Sequence, residues 1–138
     1  MSVDAPPGAF ELRRTATAAE VDELEHVGNQ VYLRWVLDVA QAHSDACGYP
    51  LAAYRSLGAV FVVRRHELDY LAPVRGGDDV VVRTWVERWK AASCVRRTTV
   101  TRSDGGQVAL QAATTWALVA WPGGRPQRIP EALRAAFG

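Results

Sequence analysis

The residues best suited to chemistry are gathered in one short segment, EVDELEHVGNQVYLRW, which spans residues 20–35. Its first half contains four carboxylates and a histidine: Glu20, Asp22, Glu23, Glu25 and His26. Gly28-Asn29 follows, a pair typical of a turn and a helix N-cap, and a strongly apolar stretch then indicates a helix. Acidic side chains before a helix are also an ordinary capping arrangement. Two interpretations are therefore open at this point, a solvated helix cap and a catalytic carboxylate.

The catalytic interpretation depends on what a helix N-terminus offers. Its first backbone N–H groups have no partner within the helix, so they can polarise a carbonyl group or hold an oxyanion. A carboxylate one turn away can activate water or attack an acyl carbon directly. This combination suits acyl transfer and requires no metal ion.

A helix predicted over Gln30–Ala46 positions this segment, and Gly48 and Pro50 are expected to end it. Apolar residues lie on most of its circumference. The polar stripe is confined to four positions, Arg34, Asp38, Gln41 and Asp45. Such a helix is expected to be mostly buried, so a broad surface must wrap it.

The rest of the chain is dominated by β-type patterns. Strands are predicted at Phe10–Thr17, Ala59–Tyr70, Val80–Trp89, Ala92–Arg102 and Gln107–Trp121. Turn signals between the last four predict hairpins, and hence an antiparallel meander. A short terminal helix is predicted over Pro130–Phe137. Residues 1–8, with Pro6, Pro7 and Gly8, are expected to form a flexible leader.

Together these elements predict a single α+β domain over residues 1–138. An antiparallel sheet of about five strands would wrap around one long buried helix. The length suits one domain. Because a single helix covers only one face of the sheet, its other face and its edge need a partner. We therefore expect a homodimer or a homotetramer.

Composition argues against several other classes of protein. The formal net charge is +1, from 16 Lys and Arg against 15 Asp and Glu, which gives no reason to expect a nucleic-acid partner. Since no long apolar run or signal-peptide pattern is found, we expect a cytoplasmic protein without a membrane partner. Cys47 and Cys94 do not suggest a disulfide framework. The three histidines lack zinc-type spacing, so no metal site is expected.

One run, DELEHVGNQVYLRW, resembles the DxxGHVNNxxYLRW signature of the hotdog-fold acyl-CoA thioesterases, the 4-hydroxybenzoyl-CoA thioesterase-like family. The runs LDYLAPVRGGDDVVVRTWVE and TTWALVAWPGGRPQRIPEAL resemble that family's strand, Pro, Gly-Asp, strand pattern and its last strand and terminal segment. The three blocks cover most of Asp22 to Leu133 in the family's order. The resemblance implies that the sheet wraps the helix, that two subunits join their sheets, and that the active sites lie at the subunit interface.

The resemblance also implies roles for individual residues. Asp22 falls on the family's catalytic carboxylate, which acts on the thioester as nucleophile or general base. Asn29 falls where a backbone N–H polarises the thioester carbonyl, and Tyr32 on a tyrosine that we assign to packing or pocket lining. Two positions depart from the signature: Glu25 replaces a glycine and Gly28 replaces an asparagine. Two carboxyl groups buried close together do not both ionise readily, so Glu25 could share or take over the role of base.

The remaining candidates are assigned to substrate binding. His26 is expected to orient the loop through its ring nitrogens, and Gly28 to lie where the carbonyl is held. Trp35 is the first candidate among the tryptophans to line an acyl pocket. The phosphates of coenzyme A suit basic side chains, and the candidates for that end of the substrate lie around a strand reversal: Arg88, Lys90 and Ser93.

The expected function is hydrolysis of an acyl-CoA thioester to a free acid and a thiol. No cofactor is expected, because coenzyme A enters as part of the substrate. Two alternatives stay open. One is a thioesterase acting on polyketide or fatty acyl chains bound to a carrier protein, and the other is a hotdog protein that binds acyl thioesters without hydrolysing them.

Overall fold

The structure is a computed structural model that describes residues 4–138. The elements, in chain order, are β1 (Phe10–Thr15), α1 (Asn29–Ala46), α2 (Leu51–Leu57), β2 (Ala59–Tyr70), β3 (Asp79–Trp89), β4 (Ser93–Arg102), β5 (Val108–Ala120) and α3 (Glu131–Ala136). A 3₁₀ turn, Ala18–Glu20, lies between β1 and α1. The predicted leader falls partly outside the described residues. Its described part, residues 4–8, contains only a turn at Pro7-Gly8.

The five strands form one antiparallel sheet in the order β1-β3-β4-β5-β2. The α+β prediction is confirmed, and so are the two hairpins that join β3, β4 and β5. The predicted meander is wrong at its first connection, because β2 pairs with β5 and not with β3. Turn residues at 73–77 mark where the chain reverses, but they do not specify which strand it meets. Here they carry the chain across the sheet, and β3 enters between β1 and β4.

Helix α1 packs on one face of this sheet. Trp35, Val36 and Val39 are fully buried and belong to the same core cluster as Val80 and Leu110 of the strands. Burying each such side chain contributes about 1.5–3 kcal/mol. The helix is nevertheless less enclosed than its apolar circumference predicts. Only six of its 18 residues are buried in the single chain, because the sheet covers one side of it.

Helix α2 was not predicted, since seven residues are too few to show a clear helical period. It begins after Pro50 and ends at Gly58, whose φ of 75° suits glycine. Its Tyr54 packs into a second core cluster with Leu118 and Leu133. Helices α2 and α3 thereby close the end of the sheet at which β2 begins.

The two edges of the sheet differ in character. Strand β1 is six residues long and carries Glu11, Arg13 and Arg14, charges of the kind that protect an edge from pairing. Strand β2 is 12 residues long and begins AVFVV, and its outer edge is unpaired within the described chain. The residues from Val60 to Val63 are only partly buried. The β2 edge is therefore the one at which a second chain is expected.

Candidate active site

Asp22 lies in a narrow loop that leads directly into α1. Its N–H donates a hydrogen bond to the carbonyl oxygen of His26 (2.8 Å), and the Gly28 N–H donates to that of Glu20 (3.1 Å). The Val27 N–H donates to the carbonyl oxygen of Val74 at 2.7 Å. The loop is thus tied to itself and to the segment before β3, which fixes its position at the start of the helix.

The Asp22 side chain is exposed, and its geometry is set by the loop backbone. The N–H groups of Leu24 (2.9 Å) and His26 (3.3 Å) donate to its Oδ1 atom. Both hydrogen bonds end on the same oxygen, so Oδ2 is not engaged by them. The carboxylate is therefore oriented while one oxygen stays available to a substrate or a water molecule.

The N-terminus of α1 is open to a ligand. Its N-cap is Gly28, which has no side chain to bond the first amides, and no acidic residue lies in the first turn. The N–H groups of Asn29 and Gln30 have no helical partner, and both residues are exposed. An 18-residue helix places the positive end of its dipole at these amides. The site accordingly pairs an oriented carboxylate with free backbone donors.

Glu25 occupies a strained backbone position. Its φ is 63°, in the left-handed region, which costs a residue with a Cβ atom roughly 1–2 kcal/mol. Its N–H donates to the carbonyl oxygen of Asp22 at 3.0 Å and closes the turn. This conformation gives a physical reason for the glycine in the signature. Glu25 and Asp22 are both exposed in the single chain. The two carboxyl groups are therefore not buried together there, which was the condition for Glu25 to share the role of base.

His26 and Tyr32 act chiefly as supports. The contacts of His26 within the described residues run through its backbone, including a bridge to Arg75, and the predicted role of its ring nitrogens stays a prediction. Tyr32 is buried, and its hydroxyl oxygen accepts a hydrogen bond from the Val74 N–H at 3.2 Å. Its ring packs edge-on against Tyr70 at 5.6 Å. Tyr32 therefore joins the start of α1 to the last residue of β2.

Trp35 is fully buried in the core cluster of the single chain, whereas the sequence assigned it to the lining of an acyl pocket. Its Nε1–H donates to Oε2 of Glu20 at 3.0 Å, and the guanidinium of Arg14 lies over its ring at 5.0 Å. Burial raises the pKa of Glu20, but hydrogen bonds from Thr17 and Trp35 outweigh it and lower the pKa overall. Glu20 is thus a structural carboxylate that anchors the loop to the helix.

The proposed phosphate ligands lie far from Asp22 in the same chain. Arg88, Lys90 and Ser93 surround the β3–β4 hairpin, where the Lys90 N–H donates to the carbonyl oxygen of Ser93 at 2.8 Å. The Asp22 loop contacts the segment just before β3. Since β3 has 11 residues, roughly 30 Å separates its two ends. One chain does not bring the carboxylate and these residues together.

A cavity of about 360 Å³ lies at the hairpin end of the molecule, between the second half of α1, α2 and the sheet. Its walls are mostly apolar and include six aromatic residues: Tyr49, Tyr54, Phe61, Trp89, Trp116 and Phe137. Sequence reasoning missed it, because its lining comes from nearly every element of the fold. No motif marks such a cavity along the chain.

Two polar side chains meet at the inner wall of this cavity. Arg96 is 5% exposed, and its Nη1 donates to Nδ1 of His43 (2.9 Å) and to Oγ1 of Thr84 (3.0 Å). Burial, reinforced by the Arg96 charge, lowers the pKa of His43 to about 4. Burial also raises the pKa of the neighbouring Cys94 thiol to about 11. At neutral pH both groups are uncharged, and Arg96 keeps its charge.

The low pKa of His43 predicts a dependence of stability on acid. The unfolded chain takes up this proton near pH 6.5 but the folded chain only near pH 4, so the free energy of unfolding falls as pH drops between these values. The loss assigned to His43 between pH 7 and 4.5 is about 2–3 kcal/mol. Urea unfolding at both pH values measures it. His43→Asn keeps an acceptor near Nδ1 without titrating, and an acid-induced loss as large as that of the wild type would contradict this assignment.

A family model described as the thioesterase-like superfamily matches residues 16–137. The chain belongs to this superfamily. Membership confirms the predicted thioester hydrolase class for this thioesterase-like chain, and the match includes the Asp22 loop, the helix start and strands β2 to β5. Among the described residues, no helix is long and apolar enough to cross a membrane.

Solved structures confirm the hotdog fold of this thioesterase-like chain. A 1,4-dihydroxy-2-naphthoyl-CoA thioesterase from Synechocystis superposes with a TM-score of 0.85 at 18% identity, covering 94% of this chain and 96% of that one. A hypothetical protein from Staphylococcus aureus, in complex with CoA, gives 0.88 at 18% identity, with 98% and 85% covered. A gentisyl-coenzyme A thioesterase gives 0.81 at 17%, with 93% and 99% covered. At these identities the likeness establishes the fold.

Proposed function

We propose that this chain hydrolyses acyl-CoA thioesters, with Asp22 as nucleophile or general base and the first amides of α1 as the oxyanion site. One observation carries the proposal: an oriented carboxylate with a free oxygen stands beside a helix N-terminus that has no capping side chain. Similarity to structures named as CoA thioesterases, and to one in complex with CoA, supports the choice of substrate.

The reaction follows from these groups. The amides of Asn29 and Gln30 bind the thioester oxygen and stabilise the negative charge that develops on it. In one route Asp22 takes a proton from water, whose oxygen attacks the carbonyl carbon, and the tetrahedral intermediate collapses with breakage of the carbon–sulfur bond. In the other route Asp22 attacks the carbonyl carbon itself, the carbon–sulfur bond breaks to leave a mixed anhydride, and water hydrolyses that anhydride. The thiolate leaves with a proton, and the products are a free acid and coenzyme A.

The unpaired β2 edge supports a two-chain site. When two copies of β2 pair across a two-fold axis, residue i of one strand lies opposite residue j of the other, and residue j of the first lies opposite residue i of the second. The two strands are therefore antiparallel. The Tyr70 end of one strand then lies beside the Ala59 end of the other. Tyr32 places the start of α1 at the Tyr70 end, whereas Phe61 places the cavity near the Ala59 end. The pairing therefore puts the carboxylate of one chain beside the cavity of its partner.

The same pairing accounts for the separation of the candidate phosphate ligands. Arg88, Lys90 and Ser93 occupy the cavity end of the sheet, so the partner's hairpin falls at the end that carries Asp22. Exposed apolar side chains lie at both ends that would meet. They are Leu24, Tyr70 and Leu71 near the loop, and Leu37 and Leu51 at the cavity. Burying them between chains would add to the stability of the dimer.

Hydrolysis assays on matched substrates test the proposal. Release of free thiol from straight-chain acyl-CoAs of different lengths, and from the same acyl groups on a carrier protein, gives kcat/KM for each. We expect turnover of acyl-CoA at rates well above those of the carrier-bound forms. A clear preference for carrier-bound chains would assign the other substrate class. Binding without hydrolysis of any thioester would contradict the enzymatic proposal.

A further inference from the structure

The inner wall of the cavity carries a buried positive charge without a counter-ion. Arg96 is 95% buried, and the protein groups that it bonds, His43 and Thr84, are both uncharged acceptors. None of the ion pairs among residues 4–138 includes Arg96. Asp45, the one carboxylate among the lining residues, is exposed. A buried charge is ordinarily paired, so this one requires an explanation.

The other titratable groups near Arg96 do not supply a negative charge. Burial raises the pKa of the Cys94 thiol to about 11 and also raises that of the Tyr54 hydroxyl, so both stay protonated at neutral pH. The pKa of the Cys47 thiol is raised for the same reason. His43 is neutral, so it accepts a hydrogen bond from one N–H of the guanidinium but does not neutralise its charge. The guanidinium lies over the Phe137 ring at 5.6 Å, a contact that attracts the cation but supplies no anion. The positive charge thus stands without a counter-ion beside an apolar cavity.

The same wall also carries an unsatisfied hydrogen-bond donor. Trp116 lines the cavity, and its Nε1–H is buried without a hydrogen-bond partner among the described residues. Buried polar groups nearly always find a partner. Trp116 pairs with Cys94 across the β4–β5 ladder, and Arg96 follows Cys94 by two residues on the same face of β4. A guanidinium without a counter-ion and an indole N–H without an acceptor therefore lie on neighbouring strands of one wall.

We propose that this cavity binds the acyl group of a substrate that ends in a carboxylate, with Arg96 as its ionic partner and the Trp116 indole N–H as a second donor. The apolar and aromatic walls accept the body of the acyl group, and the carboxylate supplies the charge that the wall lacks. This inference rests on the proposed function, because the dimer places the thioester at the partner's Asp22 and directs the acyl group toward Arg96.

The test compares acyl-CoAs of equal length that end in a methyl group or in a carboxylate, from five to ten carbons. Wild-type enzyme is expected to prefer one of the carboxylate-ended substrates over its methyl-ended counterpart by at least about tenfold in kcat/KM, as a buried ion pair allows. Arg96→Met is expected to abolish or reverse that ratio. Trp116→Phe, which keeps the ring and removes the N–H, is expected to reduce it. The ratio is internal to each variant, so it does not depend on the folded fraction.

Arg13→Met is the matched control, because it removes an exposed guanidinium from β1 and is expected to leave the ratio unchanged. A wild-type enzyme that favours the methyl-ended series at every length would overturn the inference while leaving hydrolysis established. Calorimetric titration with octanoate and with 1-octanol tests the carboxylate site independently of the proposed thioester hydrolysis. Octanoate binding that disappears in Arg96→Met would sustain the carboxylate site even if no acyl-CoA were hydrolysed, whereas equal binding of both probes would exclude it.

Discussion

Replacement of Asp22 by asparagine is expected to lower kcat for acyl-CoA hydrolysis by about 10²–10⁴-fold, the usual contribution of a positioned base. Asparagine keeps the Oδ1 atom, so the hydrogen bonds from the Leu24 and His26 N–H groups can persist. The loop should therefore keep its shape, and circular dichroism and the oligomeric state should match those of the wild type. The change removes the basic oxygen without removing its support.

Neighbouring carboxylates provide the controls for this experiment. Glu23→Gln, in the same exposed loop, is expected to leave kcat within a few-fold of the wild type. Glu25→Gln tests the second candidate base, and its exposure and turn geometry favour a small effect. If Asp22→Asn retains wild-type turnover, Asp22 has no catalytic role. If Glu25→Gln alone abolishes turnover, the base is Glu25.

The Asp22 loop could be predicted because its information is local. A carboxylate, a turn and the start of an apolar helix follow one another within 16 residues, and their order already specifies their proximity. Strand β2 was predicted with its observed bounds for the same reason, because its strand pattern and the turn signals on either side of it follow one another in the sequence. The left-handed conformation of Glu25 was not predicted, because the signature glycine is replaced there by a residue that normally avoids it.

The cavity and the strand order could not be predicted because their information is distant along the chain. Arg96 and Trp116 lie on the two strands of a hairpin, whereas Phe61 lies in β2 and Phe137 directly after α3. The β4–β5 hairpin brings Arg96 and Trp116 together, and the pairing of β2 with β5 adds Phe61 to the same cavity. Trp35 shows the converse case: a large aromatic residue near the predicted site was assigned to a pocket, whereas in the single chain it is fully buried in the core cluster.

The shared site has a consequence that a single-chain site does not. If Asp22 of one chain works with the cavity of its partner, two inactive variants can rebuild one intact site in a mixed dimer. Asp22→Asn disables the carboxylate. Gln41→Trp, at an exposed position on the cavity lining, is expected to fill the cavity and to lower kcat/KM about 10²-fold by displacing the acyl group. Each variant alone leaves both sites of its dimer impaired.

Measuring the turnover of such a mixed dimer tests the central claim most directly. The two variants are produced together with different affinity tags and purified through both tags, so that every molecule contains one chain of each kind. A shared site predicts about half of the wild-type activity per dimer, because one of the two sites combines the intact Asp22 with the intact cavity. Activity no higher than the mean of the two parent variants would contradict the shared site and confine each active site to a single chain.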